Sequence, residues 1–250
     1  MIHQPRWVDL AGAHNVRDLA GLPAAGGRRV RPGVLLRGDH LDAVTDDDLE
    51  VLRDEVGLRT VIDLRTTREA PEAREWVGTL GLTRLHLPLV DLTGTTSPRR
   101  VREDFGDDVG ALYRRRLDVA APNLVQILRF LVEDGHTPAL VHCAAGKDRT
   151  GIAVAVLLAA AGVEEPAIVA DYVATGERLD RVRAALARRE LSRQMRQGSS
   201  PAMVLEATAI EGVLDTVRKT EGGAAGYLVA HGADQALVTR WRDLLLEPGA

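Results

Sequence analysis

Cysteine, lysine and long hydrophobic segments are scarce in this sequence. The chain has one cysteine in 250 residues, Cys143, which excludes an internal disulfide framework and a cysteine-rich zinc site. Only Lys147 and Lys219 are lysines among the 32 basic residues. Acidic residues number 36, so the formal net charge is −4. Because no basic surplus is present, we expect no nucleic-acid partner.

The hydrophobic runs are short as well. The longest is the twelve-residue run 152–163, whereas a membrane-spanning helix needs about 20 residues. This run is therefore typical of a buried helix. The amino terminus has no charged-then-apolar signal segment. We expect a cytoplasmic protein without an integral membrane segment. No apolar heptad pattern stands out, so we also expect a monomer.

Short apolar runs alternate with helical patterns over the first 165 residues. Strands are predicted at 33–37, 58–64, 84–89 and 138–143, and helices at 45–56, 71–80, 122–134 and 149–161. The second and fourth strands are apolar without alternation, which is typical of interior strands buried on both faces. The pattern predicts an α/β fold with a central parallel sheet flanked by helices.

The pattern after Glu164 is helical throughout. Helices are predicted at 164–174, 177–190, 201–219 and 234–246, and Ser200-Pro201 is a cap-then-proline start for the third of them. Breaks are predicted at Gly198 with Ser199-Ser200 and at Gly222-Gly223. We interpret residues 1–250 as one domain, with an α/β core at 1–165 and a helical part at 166–250. A basic amphipathic stretch surrounds Ala184–Ala187. It is either a solvated face or part of a lid over an anionic substrate.

The most informative segment is Val141-His-Cys-Ala-Ala-Gly-Lys-Asp-Arg-Thr-Gly151, which follows a strand and opens a helix. A free thiol is only about 3% thiolate at pH 7. A helix amino terminus, loop N–H groups and an arginine each favour the thiolate. Cys143 is therefore the candidate nucleophile, and the loop 142–151 is the candidate phosphate-binding loop.

In this hypothesis the loop residues after Cys143 bind the phosphate group and stabilise the thiolate. The backbone N–H groups of residues 144–150 form a concave site for phosphate oxygens, and Gly146 permits the tight turn. Arg149 grips two oxygens with its planar guanidinium. Thr150 donates a hydrogen bond to the thiolate. The loop residues predicted to bind phosphate are Ala144, Ala145, Gly146, Lys147, Asp148, Arg149 and Thr150.

Three loop residues have further interpretations. Asp148 could orient Arg149, and Lys147 is either an ammonium group that the loop requires or a solvent-facing side chain. His142 is predicted to organise the loop by hydrogen-bonding to the backbone. With one cysteine and no histidine pair at ligand spacing, we predict no metal and no other cofactor.

The segment HCAAGKDRTG resembles the signature of the cysteine-dependent tyrosine phosphatases, in particular a bacterial branch of that family. The resemblance extends over most of the chain. It includes Asn15–Leu19, Leu36-Arg37, Val61–Arg65 with Arg68-Glu69, Asp171-Tyr172, Gly226-Tyr-Leu and 237–246. It implies a parallel sheet flanked by helices and a helical carboxyl-terminal lid over the pocket.

A carboxylic acid is needed to protonate the leaving oxygen. Asp63 ends a predicted strand, so it should lie at the same sheet edge as Cys143, and the resemblance implies an acid at this position. We favour Asp63, followed by Asp148 and Asp91. Two charged sets, Arg17-Asp18 and Arg65 with Arg68-Glu69, either line the pocket entrance or form structural ion pairs.

These observations predict a protein-tyrosine phosphatase that works through a cysteinyl-phosphate intermediate on Cys143. Phosphoserine, phosphothreonine and phosphoinositides are further candidate substrates. The partner would be a phosphotyrosine-containing protein, a phosphorylated small molecule or a lipid head group, and inorganic phosphate would be the product. The alternative is a catalytically weak module on the same fold that only binds phosphate groups. A redox thiol is disfavoured because no second cysteine is present.

Overall fold

A six-stranded mixed sheet forms the centre of the computed structural model, which describes residues 4–67, 69–70, 77–78, 80–89, 109–188 and 205–248. The strands are β1 (Arg6–Trp7), β2 (Arg17–Asp18), β3 (Leu35–Gly38), β4 (Thr60–Asp63), β5 (Thr83–His86) and β6 (Ala139–His142). Their order is β1-β2-β3-β6-β4-β5. The last four are parallel, whereas β1 and β2 add an antiparallel edge.

The four predicted strands are confirmed as this parallel part, and β4 and β6 are its interior strands. All four residues of each are buried, as expected for strands covered on both faces. The antiparallel edge was not predicted, because a strand of two residues is too short for its side-chain alternation to be recognised.

Eight α-helices lie within the described residues. They are α1 (Asp46–Glu50), α2 (Val109–Leu131), α3 (Asp148–Ala161), α4 (Glu165–Ala174), α5 (Leu179–Arg188), α6 (Ala207–Arg218), α7 (Gly223–Ala230) and α8 (Gln235–Leu245). A π-helical segment, Val51–Glu55, continues α1, and a 3-10 turn, Thr175–Arg178, links α4 to α5. None of these helices has the length and apolarity that a membrane span requires.

Local signals predicted several helix ends well. The Thr45 hydroxyl accepts the N–H of Asp48, whose carboxylate accepts the N–H of Thr45 in return. This capping box satisfies two otherwise unpaired donors at the start of α1. The carboxyl end of α3 also has a local signal. Gly162 terminates this helix in the left-handed conformation at φ 91°, which glycine adopts without steric cost.

Two helix predictions were wrong, and the helix predicted at 201–219 begins later than predicted, because Glu206 is the amino-terminal cap of α6. α2 begins at residue 109 rather than 122, so Pro122 lies inside the helix instead of starting it. Proline removes one helical hydrogen bond, but Tyr113 and Leu117 on the earlier turns are fully buried in the core, and this burial stabilises the longer helix. α7 was missed because Gly222-Gly223 was interpreted as a break, whereas Gly222 is its amino-terminal cap at φ 77°.

The carboxyl-terminal helices pack against the central helix α3, which is buried on nearly all sides. Trp241 of α8 is fully buried and donates its indole N–H to the carbonyl of Leu157 at 2.9 Å. A single hydrophobic cluster joins residues of the sheet, α2, α3 and the later helices. This packing holds the amino end of α3 at the carboxyl edge of the parallel strands.

Several predictions fall outside the described residues. The helix at 71–80 does so apart from residues 77, 78 and 80. Arg68, Asp91, the break at Gly198 with Ser199-Ser200 and the helix start at Ser200-Pro201 also lie outside them.

Candidate active site

Cys143 lies at the edge of the sheet where the parallel strands end. β6 ends at His142 and α3 begins at Asp148, so residues 143–147 form the turn from strand to helix. Cys143 is 2% exposed. The amino terminus of a helix carries partial positive charge and unpaired N–H groups. The turn therefore places the only thiol of the chain where an anion is stabilised.

Three carbonyl oxygens of the turn accept hydrogen bonds from residues that lie elsewhere in the chain. Those of residues 144–146 accept, in chain order, the His40 N–H at 3.3 Å, the Asn15 amide at 3.1 Å and the Arg37 guanidinium at 2.8 Å. The N–H groups of the same three residues donate no hydrogen bond to any described residue. They are thus available to receive the oxygens of a phosphate group.

A buried charged network supplies two of these outer contacts. Asp171 of α4 accepts Arg17 at 2.7 Å and Arg37 at 2.6 Å, and all three side chains are at most 5% exposed. Arg17 also donates to the side-chain oxygen of Asn15 at 2.6 Å. Asp39 accepts the backbone N–H of Asn15 at 2.9 Å. We call Asn15, Arg17, Arg37 and Asp171 the outer support of the loop.

Gly146 is the point where the loop and the outer support touch. Its φ of 67° lies in the left-handed region that favours glycine. A Cβ at this position would overlap the carbonyl of Gly38 and lie 2.8 Å from the Asn15 amide nitrogen. Both the conformation and the close approach therefore require glycine, as the sequence predicted for a tight turn.

Arg149 is oriented by a carboxylate from another part of the chain. Its two terminal nitrogens donate to the oxygens of Glu69 at 2.6 Å and 2.8 Å. Glu69 also accepts the N–H and the hydroxyl of Thr66, both at 2.9 Å. Burial opposes the charge of Glu69, but these hydrogen bonds prevail and lower its pKa to about 2. The guanidinium is thereby fixed in one plane beside the loop.

Asp63 occupies a closely packed cluster of charged side chains next to β6. It lies opposite His142 in the β4–β6 register and is 1% exposed. Its first oxygen accepts the Arg65 backbone and side chain, and its second accepts Arg65 at 2.8 Å and Arg84 at 2.9 Å. Burial alone would raise the pKa of Asp63, but the arginine contacts hold it well below its usual value.

Asp148 is the first residue of α3 and has a different environment. Its Oδ1 accepts the hydroxyl of Tyr113 at 2.5 Å and lies 3.4 Å from the ammonium of Lys147. The Asp148 side chain is 17% exposed. Lys147 is fully buried, which contradicts the solvent-facing interpretation of this lysine. The loop thus contains a buried cation next to a partly exposed carboxylate.

A family model confirms what the loop suggests. The model of the tyrosine phosphatase family matches residues 8–247. The chain belongs to the tyrosine phosphatase family. It is therefore a phosphoric monoester hydrolase, and the bacterial resemblance seen in the signature is confirmed.

Individual relatives of this phosphatase agree with the family. The chain is 29% identical over 279 residues to the triple specificity protein phosphatase PtpB of Mycobacterium tuberculosis, which covers 95% of this chain and 98% of that protein. It is 34% identical over 177 residues to a putative tyrosine-protein phosphatase of Cupriavidus necator, covering 66% of this chain and 61% of that protein. Among solved structures, the catalytic core of the PP-IP phosphatase SIW14 from S. cerevisiae is similar with a TM-score of 0.40 and 12% identity, covering 83% of this chain and 95% of that one.

The remaining loop residues of the phosphatase are placed as follows. The Nδ1 atom of His142 lies 3.3 Å from the carbonyl oxygen of Cys143, and burial lowers the pKa of His142 to about 4. A neutral, buried imidazole suits the predicted loop-organising role. The Thr150 hydroxyl is buried and has no hydrogen-bond partner among the described residues. Its predicted contact with the thiolate is therefore not formed in this structure.

The two charged sets predicted to line the pocket entrance or to form ion pairs have different partners in the structure. Arg17 pairs with Asp171 rather than with Asp18, so its role is structural. Glu69, in contrast, reaches the active site through Arg149. The sequence placed Glu69 in a charged set with two possible roles, at the pocket entrance or in an ion pair, but it did not indicate Arg149 as the partner. No group of three or more metal-binding side chains is clustered within the described part of the chain.

Proposed function

We propose that this protein is a protein-tyrosine phosphatase in which Cys143 is the nucleophile. The thiolate attacks phosphorus, the bond between phosphorus and the leaving oxygen breaks, and a cysteinyl phosphate forms. The N–H groups of residues 144–146 and the guanidinium of Arg149 would hold the other three oxygens and the charge that develops on them. Water then attacks the cysteinyl phosphate and releases inorganic phosphate and the thiolate.

One observation carries this proposal above the others. Residues 144–146 have their carbonyls bonded outward, and their N–H groups donate to no described residue, while Glu69 holds Arg149 in place. A mere buried cysteine would need none of these contacts. They leave a preorganised anion site around the thiol, which is what phosphoryl transfer requires.

The proton donor of the proposal is a carboxylic acid, and Asp63 and Asp148 are the described candidates. Asp63 is the residue that the resemblance implies, and it lies one strand away from the loop. For Asp63 to donate a proton, it must first release Arg65 and Arg84, because both of its oxygens accept from them. Asp148 lies within the loop and needs no such rearrangement.

Phosphotyrosine peptides are the proposed substrates, with phosphoserine, phosphothreonine and phosphoinositide head groups as further ones. Lys147 supports the wider range, because an ammonium group carried by the same loop would attract additional negative charge. The name of the mycobacterial relative describes that protein as having triple specificity.

The test measures phosphate release from phosphotyrosine, phosphoserine and phosphothreonine peptides and short-chain phosphoinositides, without added metal. Wild type, Cys143→Ser and Asp63→Asn are compared over a range of pH. We expect release that depends on Cys143, with the phosphopeptide still bound by Cys143→Ser. Activity retained by Cys143→Ser would refute the mechanism. Binding without release by the wild type would instead favour the phosphate-binding module.

A further inference from the structure

Two buried tyrosines converge on the loop from different helices. Tyr113 of α2 and Tyr172 of α4 are at most 1% exposed, and their hydroxyls lie 2.7 Å apart. Tyr113 donates its single proton to Oδ1 of Asp148 at 2.5 Å. A hydroxyl has only one proton to donate, so Tyr172 must donate to Tyr113. The result is a directed chain of hydrogen bonds that ends on the carboxylate of the loop.

This chain fixes one oxygen of Asp148 and leaves the other unbonded. The lysine and arginine contacts nearby, Lys147 at 3.4 Å and Arg116 at 4.0 Å, are also made to Oδ1. Oδ2 accepts no hydrogen bond from any described residue. Asp63, by comparison, has both oxygens occupied by arginines. Of the two carboxylates, Asp148 is the one with an atom available for proton exchange.

We propose that Tyr113 is a positioning residue for proton transfer: it holds Oδ1 of Asp148 so that Oδ2 gives its proton to the leaving oxygen. The proposal rests on the phosphatase function above. As the bond from phosphorus to the leaving oxygen breaks, that oxygen takes the proton, and Asp148 becomes ionised. In the second step Asp148 takes a proton from the water that attacks the cysteinyl phosphate, which restores the acid.

The charge on Asp148 depends on groups from every element packed around it. The facing groups are Lys147, Arg149, Tyr113, Arg116 and Tyr172. Burial would raise the pKa of Asp148, but the cations and the Tyr113 hydroxyl lower it. A bound phosphate dianion adds a like charge, which favours the protonated form again. Removal of the Tyr113 hydroxyl removes one stabilising contact of the carboxylate, so the pKa should rise.

The experiment measures kcat/KM against pH for two substrates that differ in their leaving group. One is a phosphotyrosine peptide, and the other is difluoromethylumbelliferyl phosphate, whose acidic phenol leaves without protonation. We expect Asp148→Asn to lose about 100-fold on the peptide and little on the second substrate. Tyr113→Phe should lose about tenfold on the peptide alone and shift the limb governed by Asp148 to higher pH by about one unit. The double variant should match Asp148→Asn.

Tyr227→Phe is the matched control, because it removes another buried tyrosine hydroxyl, which donates to the carbonyl of Leu117 away from the loop. It should behave as wild type. Equal losses on both substrates by Tyr113→Phe, or an unmoved pH profile, would overturn the proposal, as would a leaving-group effect in Asp63→Asn rather than Asp148→Asn. Failure of the phosphatase function itself would look different. The wild type would then release phosphate from neither substrate, or Cys143→Ser would release it from both as fast as the wild type.

Discussion

The loop around Cys143 has charged side chains on two sides: the ion pairs of the outer support, and an inner rim formed by Glu69, Asp148 and Arg149. The two sets differ in how much of each side chain is exposed to solvent. The outer pairs of Asp171 with Arg17 and Arg37 are at most 5% exposed. On the rim, Glu69 is 26% exposed, and Arg149 and Asp148 are 15% and 17% exposed. Removing one partner of a buried ion pair leaves an uncompensated charge, whereas a partly exposed charge is also stabilised by water. The outer pairs are thus shielded from solvent, whereas the three rim side chains can be reached by it, as the proposed contacts with a substrate require.

Loss of the Asp171 carboxylate from the outer support should have the largest effect on stability. Asp171→Asn leaves Arg17 and Arg37 without a counter-charge in the core, which should lower the free energy of unfolding by about 3–5 kcal/mol. Urea denaturation measures this. The matched control is Asp9→Asn, because Asp9 pairs with Arg178 while 81% exposed; its cost should be below about 1 kcal/mol. Similar costs for the two variants would remove the distinction between support and surface.

Gly146→Ala tests the contact between the loop and its support. The new methyl group would overlap the Gly38 carbonyl, and we expect a loss of about 2–4 kcal/mol in stability and about 100-fold in kcat/KM. Gly135→Ala is the control, since Gly135 also has a positive φ, 83°, but has open space around its Cβ position. That variant should keep wild-type kcat/KM. An active Gly146→Ala protein would contradict the requirement for glycine.

His142 predicts a pH dependence of stability. Its pKa in the folded state is about 4 because of burial, below the unfolded value of about 6.5. The unfolded chain therefore binds a proton in this window that the folded chain does not. Stability should fall by about 2–3 kcal/mol as the pH drops from about 6.5 to about 4. Unfolding curves over this range should lose that component in His142→Gln; an unchanged slope would contradict the assignment.

Glu69→Gln, a substitution on the inner rim, should have the smallest energetic effect of the four. The rim would lose one charge from the pair with Arg149, and kcat/KM should fall about tenfold, or about 1.4 kcal/mol. Inhibition by inorganic phosphate should weaken in parallel, because Arg149 is the proposed ligand of the phosphate oxygens. Glu133→Gln, at a glutamate that is 64% exposed, is the control and should change neither quantity. An unchanged kcat/KM in Glu69→Gln would show that Arg149 needs no orienting carboxylate.

Local patterns were sufficient for much of the fold. The four parallel strands, the capping box at Thr45 and the end of α3 at Gly162 all follow from signals within a few residues. The start of α2 was misplaced because Pro122 is a strong local signal, while the burial of Tyr113 that overrides it depends on distant elements. The antiparallel edge was missed for a related reason, since β1 and β2 are too short to carry a pattern.

The candidate active site also has one part that local sequence predicts and another that depends on contacts between distant residues. The strand, loop and helix around Cys143 are contiguous, so the candidate nucleophile, Gly146 and Arg149 could be proposed from spacing alone. Their partners could not, because Glu69 is 80 positions from Arg149 and Asp171 is 134 from Arg37. Asp63 was placed correctly beside the loop, at the carboxyl end of its strand. Its arginine contacts, which favour the ionised form, only became visible in three dimensions.

Neighbours along the chain are enough to establish the class of fold, the family signature and the loop in which the thiol lies. The polar and charged groups that meet across the fold are visible only in three dimensions: Glu69 with Arg149, Asp171 with two arginines, and Tyr113 with Asp148. The interaction of two charges depends on their distance in space and on the water that surrounds them, and neither quantity is written in the order of residues.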